Sequence, residues 1–306
     1  MTRPAVRRTH ARSSLLFLAA LWAAAGARAD DVPRPGPVID GPIVRLPPGE
    51  PATVGEPLWE LGLGVAGVRF PDYRGSDQNS AYVLPLPFIA YRGRFLRADR
   101  DGARAIFFAG RQVVIDMSLS ASVPSDSKNN DARRGMPDLP GSIEIGPNVN
   151  VELWQSAGRM FKLDLRLPVR QAVTLEWPPR GIGLTFSPNL NLDIRGLDGA
   201  WNIGLLAGPV FATARHHEHF YGVAPEFATA TRPAYEAPGG YGGWRATAAV
   251  SRRLGNAWLG GFVRYDDVQG ASFAPSPLVR RENNVTVGFG ISWIFATSSQ
   301  RVLTDD

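Results

Sequence analysis

The sequence predicts an all-β protein, a transmembrane antiparallel β-barrel of about twelve strands, with ten as the alternative. Three observations predict it. First, residues 143–154, 159–170, 181–195 and 285–295 alternate apolar and polar side chains. In one of them Phe161, Leu163, Leu165, Leu167 and Val169 point one way, while Lys162, Asp164, Arg166 and Arg170 point the other. These runs reach about 10 residues, the length a tilted strand needs to cross a bilayer, against about 5–6 in soluble proteins. Second, the chain opens like an exported protein. Arg3, Arg7, Arg8 and Arg12 form a basic region, Leu15 to Ala25 an apolar one, and Ala27-Arg28-Ala29 a small-x-small cleavage site. Third, no stretch after residue 29 is long and apolar enough for a membrane-spanning helix.

Residues 1–29 are therefore read as a signal peptide, and the mature chain as starting at Asp30. The formal charge of +5 comes from this segment, which holds five Arg and no acid. Without it the balance is zero, so the basic pI gives no argument for a nucleic-acid partner. The absence of cysteine excludes a disulfide framework, a Cys-ligated metal, a thiol nucleophile and an acylated lipobox.

Residues 30–57 form a Pro-rich leader, read as an extended periplasmic segment because proline lacks the N–H that a sheet requires. The strands follow at roughly 58–69, 81–90, 93–98, 103–109, 112–123, 142–154, 159–170, 181–195, 201–213, 243–254, 257–267 and 285–295. The third and fourth are short and charged, which keeps the ten-strand count open. Connections 155–158, 196–199 and 255–256 are tight turns suited to the periplasmic side. Those at 124–141, 214–242 and 268–284 are long and suited to the exterior, with 171–180 a further external loop. Trp59, Phe70, Tyr91, Trp154, Trp201, Trp244, Trp258, Tyr265 and Trp293 fall near strand ends, where they would form interfacial girdles. The last strand ends at Phe295, and a polar tail runs over 296–306.

The residues offer little catalytic logic. His216, His217 and His219 sit with Glu218 in one predicted loop, where a solvated string is the simplest reading and no regular element would converge the three on a metal. Asp266 and Asp267 point to opposite faces of a strand and read as a loop-edge charge cluster. No phosphate loop, dinucleotide fingerprint or zinc-protease motif is present. No catalytic residue, cofactor or metal is expected. The inward-facing residues Lys162, Asp164, Arg166, Arg170, Asn189, Asn191 and Asp193 are candidates for a charged lumen, which must be hydrated or internally paired. Twelve strands enclose a narrow lumen, so a small or closed pore is expected.

The run Leu61-Gly62-Leu63-Gly64, then Pro71-Asp72-Tyr73-Arg74-Gly75-Ser76-Asp77, then Pro85-Leu86-Pro87 resembles the start of the MipA/OmpV family, the MltA-interacting proteins. Phe220-Tyr221-Gly222-Val223, the stretch Tyr235 to Tyr241 containing Gly239 and Gly240, and Ser276-Pro277-Leu278-Val279 follow in the same order, so the resemblance spans about residues 58–295. It implies a bacterial outer-membrane barrel without known catalysis, in contact with lipids and lipopolysaccharide. The family's namesake is a scaffold linking a lytic transglycosylase to a peptidoglycan synthase. Other members bear on permeability, antibiotic response and adhesion. The leader and the tail look longer than is usual for the family. From its residues, the segment Pro71 to Ser76 should be an ordered external loop with Tyr73 over the barrel mouth, and the other signature segments should fold with it into one cap. The expected function is a scaffold barrel, with a narrow solute channel as the alternative and a barrel hydrolase third.

Overall fold

A computed structural model describes residues 55–92, 96–99, 102–110, 112–197 and 201–302. The chain from Trp59 to Thr297 forms an antiparallel ring. Its strands are β2 (Trp59–Pro71), β3 (Asn79–Arg92), β4 (Leu96–Asp99), β5 (Gly102–Ala109), β6 (Val113–Ser122), β7 (Ser142–Gln155) and β8 (Phe161–Thr174). Then come β9 (Gly181–Phe186), β10 (Asn189–Leu197), β11 (Trp201–Ala212), β12 (Gly240–Leu254), β13 (Ala257–Asp267) and β14 (Asn283–Thr297). Ser187-Pro188 interrupts one wall position, so β9 and β10 are two halves of one strand and each pairs with both β8 and β11. Proline there cannot donate to a ladder. Counted as wall positions the ring has twelve strands, and β14 closes onto β2. The ten-strand alternative falls, since β4 and β5 pair into the wall.

Face assignment follows from exposure. Along β14, Val285, Val287, Phe289, Ile291, Trp293 and Phe295 are all exposed, Phe289 at 74% and Trp293 at 60%, while Asn284, Thr286 and Ser292 between them are buried. A strand in water would present the reverse, so the outer face is built for lipid and the inner face for the lumen. No described helix is long and apolar enough to cross a membrane. Trp154, Trp201 and Trp293 lie outward at the short-turn end, and Trp244 and Tyr265 outward at the long-loop end. The Arg252 guanidinium covers the Trp201 ring at 5.1 Å. Phe70 and Trp258 depart from the girdle expectation. Phe70 stacks on Tyr82 and Trp258 packs against Phe88, all on the lumen register. They are apolar residues of the inner wall.

Chain entry and exit meet at the short-turn end. β1 (Glu56–Pro57) pairs with β15 (Arg301–Val302), and Arg92 ties this small sheet to the wall through Glu56 at 2.6 Å and the Pro57 carbonyl at 2.9 Å. Residues 1–54, with the signal peptide and most of the leader, lie outside the described residues.

The β2–β14 seam depends on close backbone approach. A Cβ added at Gly64 would collide with the Ile291 carbonyl oxygen and the Cα of Ser292. Gly64→Val should therefore prevent barrel closure. The measurement is the fraction migrating as the compact, heat-modifiable form on unheated gels, expected to collapse. A wild-type fraction would contradict the seam geometry.

Candidate functional site

The long loops converge on one aromatic cap. Tyr73 comes from the β2–β3 turn, Leu139 from the β6–β7 loop, Tyr221, Val223 and Ala237 from the β11–β12 loop, and Val268, Phe273 and Leu278 from the β13–β14 loop. Together they form the main buried apolar cluster among the described residues. Tyr221 lies flat on Phe273 with centroids 3.6 Å apart, and Tyr73 meets Tyr221 edge-on at 6.1 Å. Burial pushes both phenols well above the usual tyrosine range. They therefore remain donors, Tyr73 to the Leu278 carbonyl (2.8 Å) and Tyr221 to the Arg74 carbonyl (3.0 Å).

Polar crosslinks fix the loops to one another. Gly75 has φ +91°, a conformation that glycine reaches without strain, and its carbonyl accepts from the Arg280 and Arg281 amides. Its own N–H donates to Asn284, whose side-chain amide donates to the Ser76 carbonyl. Asn130 donates to Asp72 and Ser76. Pro71 ends β2. Ser276 donates to the Tyr221 carbonyl, with Pro277 following before Leu278. Gly222 ends helix α1 (Ala214–Tyr221), Val223 and Tyr235 bond to each other, and Gly239 abuts Ala214. Gly240, at φ +126°, starts β12.

A charged layer lies beneath the cap. Asp266 is fully buried, with the Nε atoms of Arg74, Arg245 and Arg264 each 2.9 Å from its carboxylate. Only the Arg245 contact is aligned as a hydrogen bond, so the other two act mainly through charge. Asp266 is thus a lumen residue and not part of a loop-edge cluster, because it meets Arg74 arriving from another loop. Asp267 binds the Gln269 amide instead.

The candidate lumen residues form a lattice on one half of the wall. Lys162 lies 3.3 Å from Asp164 and 3.8 Å from Glu152, and Arg166 3.8 Å from Asp193. Asn191 donates to Asp193, and Asn189 to the Ser187 carbonyl. Arg170 donates to Ser118 and Ser187 and sits 4.0 Å from Glu144. The opposite half, on β2, β3, β13 and β14, carries Val68, Leu86, Phe88, Trp258, Phe262 and glycines. Sequence reasoning missed this half, although Val68, Leu86, Trp258 and Phe262 with neighbouring glycines form an apolar inward run between the polar ends of those strands. At the short-turn mouth Glu60 is buried against Arg253 (2.7 Å) and Arg92 (3.6 Å).

The model of the family described as MltA-interacting protein MipA matches residues 63–295. The chain belongs to this family. Among curated relatives of this MipA-family barrel, Omp26La of Vibrio anguillarum is 23% identical over 226 residues, covering 72% of this chain and 80% of that protein. OmpV of Vibrio cholerae serotype O1 is 22% identical over the same coverage. Both are named outer membrane proteins, and this protein is a bacterial outer-membrane β-barrel. Solved structures that overlap with it include a bacterial polysaccharide outer membrane secretin, at a TM-score of 0.39, 11% identity, and coverage of 78% of this chain and 99% of that one. Outer membrane phospholipase A from Escherichia coli overlaps at 0.32, 10% identity, and coverage of 80% and 93%. Overlap this loose says nothing of activity.

The histidines of the MipA-family barrel lie on helix α1 rather than in a solvated loop, and they diverge. His216 faces Glu144 (3.6 Å), His219 packs on Phe220, and His217 is 2% exposed within the cap, edge-on to Phe273. His217 Nδ1 donates to the Pro238 carbonyl at 2.8 Å. Burial pulls its pKa down to about 4, against the Pro238 bond, with His216 and Arg74 adding to the fall. The folded pKa lies below the ordinary value near 6.5, so the neutral ring stabilises the cap fully above that pH. This contribution is lost as pH falls from about 6.5 towards 4. Hydrogen-exchange protection in 213–239, taken relative to the intrinsic rate at each pH, should fall over that window and do so much less in His217→Gln. An equal fall in both would contradict the assignment.

Proposed function

We propose that this MipA-family protein is a closed interaction barrel that works through its periplasmic end rather than through an open pore. The observation that carries this reading is the four-loop aromatic cap on the long-loop end, with the chain entering and leaving at the other end through β1 and β15. Outer-membrane barrels keep short turns in the periplasm, so the paired termini face the peptidoglycan. In this reading residues 1–29 direct export, the 30–57 leader and the 296–306 tail extend from the β1–β15 sheet, and the signature loops serve the cap.

The family description names an interaction with MltA, a lytic transglycosylase. A partner of that class, together with a peptidoglycan synthase, is the natural occupant for a periplasmic face. The lipid-facing belt contacts acyl chains and lipopolysaccharide. Catalysis has no place in this reading: the histidines diverge, and the Asp266 carboxylate is held by charge among three arginines. Co-purification tests it. Folded protein in detergent should retain a purified lytic transglycosylase, and deletion of 30–54 should weaken retention. No retention by folded wild type would refute the scaffold.

A narrow channel is the second reading, favoured by the space that remains in the lumen between the charged layer and the short-turn mouth. Stepwise conductance without partner retention would support it.

A further inference from the structure

The lumen of this barrel is two-faced. Outer-membrane barrels that conduct water line their interior with polar side chains. Here one half of the wall is polar, while the middle of β2, β3 and β13 turns apolar side chains inward beside glycines of β13 and β14. Below the charged layer these groups surround a cavity of about 310 Å³. Leu86, Trp258 and Phe262 supply its bulk, and Gly260, Gly288 and Gly290 leave room for those side chains to lie back against the wall. The large side chains lie against the glycines: Phe262 over Gly288, Leu86 beside Gly290, Trp258 over Gly260. None of these six residues faces lipid, so the apolar character is not explained by the membrane.

Across the cavity stand Asp193, Arg195 and Gly204, from β10 and β11. Asp193 is taken up by Arg166 and Asn191. Among the described residues the Arg195 guanidinium forms no ion pair, and its buried Nε meets no acceptor. A buried donor without an acceptor is costly and is satisfied by water or by a ligand. Apolar walls hold water poorly, and a void of this size lies at the small end of ligand pockets, roughly 300–1,000 Å³.

We propose that the cavity binds a compact aromatic carboxylate, with one or two fused rings against Trp258, Phe262 and Leu86 and the carboxylate on Arg195. Aromatic faces suit a flat ring, and a guanidinium suits a carboxylate through paired N–H donors. An uncharged aromatic of the same size would fill the walls and leave Arg195 unanswered, so the acid should bind more tightly.

Gly204 allows a direct test. A Cβ there would meet only Asp193 Oδ1, at 3.7 Å, so a larger side chain enters the cavity without striking the wall. The full-length protein in lipid nanodiscs is titrated with 2-naphthoate and, separately, with neutral 2-methylnaphthalene, and uptake into empty nanodiscs is subtracted. Saturable 1:1 binding of 2-naphthoate is expected. It should weaken about tenfold or more in Gly204→Leu, which fills the space. In Arg195→Gln the naphthoate preference over the neutral probe should vanish while neutral binding persists. Heat-modifiable migration confirms that each variant is folded, and Gly204→Ala, which leaves most of the cavity open, should bind as wild type does. Non-saturable uptake by folded wild type would overturn the proposal. So would equal binding by folded Gly204→Leu, which would place the probe on the lipid-facing surface. Lytic transglycosylase retention is measured on the same variants and is expected to be unchanged.

Discussion

Replacing Asp266 by asparagine should lower the unfolding free energy of the barrel by about 3–5 kcal/mol, the range found when one partner of a buried ion pair is removed. The carboxylate is fully buried and is the shared counter-charge of Arg74, Arg245 and Arg264. Asparagine keeps the shape and removes the charge, so three guanidiniums would remain close together without it. The loss should appear as a lower urea midpoint for conversion to the unfolded gel form. Arg264→Gln in the same background should recover part of it, since it removes one of the excess positive charges. Separate replacement of Asp267, which only caps a turn amide, should change the unfolding free energy by less than about 0.5 kcal/mol. A wild-type midpoint for Asp266→Asn would mean that the arginines are neutralised by other groups.

Phe273→Ala should unlock the cap and leave the wall standing. Phe273 is 1% exposed, stacked on Tyr221 and touched edge-on by His217, so its loss opens a void at the meeting point of two loops. Truncating a buried phenylalanine costs about 3–5 kcal/mol, and here that cost falls on the cap. Hydrogen exchange should accelerate in 213–239 and 268–282, while the middle of β12 to β14 keeps its protection. Uniform acceleration through the strands would show that cap and wall unfold as one unit.

How much of this was legible in the sequence depended on whether residue type reported its surroundings. In β8 and β14 it did, because a polar lumen and a lipid exterior impose opposite preferences on alternate residues. The twelve strand positions and the long and short connections followed from that signal. In β2, β3 and β13 apolar residues occupy both faces over much of the strand, so Phe70 and Trp258 read as girdle residues although they face inward. The cap was foreseen only as a folding together of signature segments. Its core residues Leu139, Val268, Phe273 and Leu278 lie in loops, where no periodicity marks the buried side. Helix α1 was hidden because its histidine-rich string is polar in composition, and the burial of His217 comes from other loops. Asp266 looked ordinary beside Asp267, and Arg74, which helps to bury it, comes from the opposite end of the chain.

The most direct test of the closed, capped barrel is planar-bilayer conductance of the heat-modifiable wild-type protein beside Phe273→Ala. The wild type should be silent under voltages at which porins conduct, and the variant should show brief openings as its cap loosens. Regular unitary steps from folded wild type would contradict the account and identify the lumen as a conducting path.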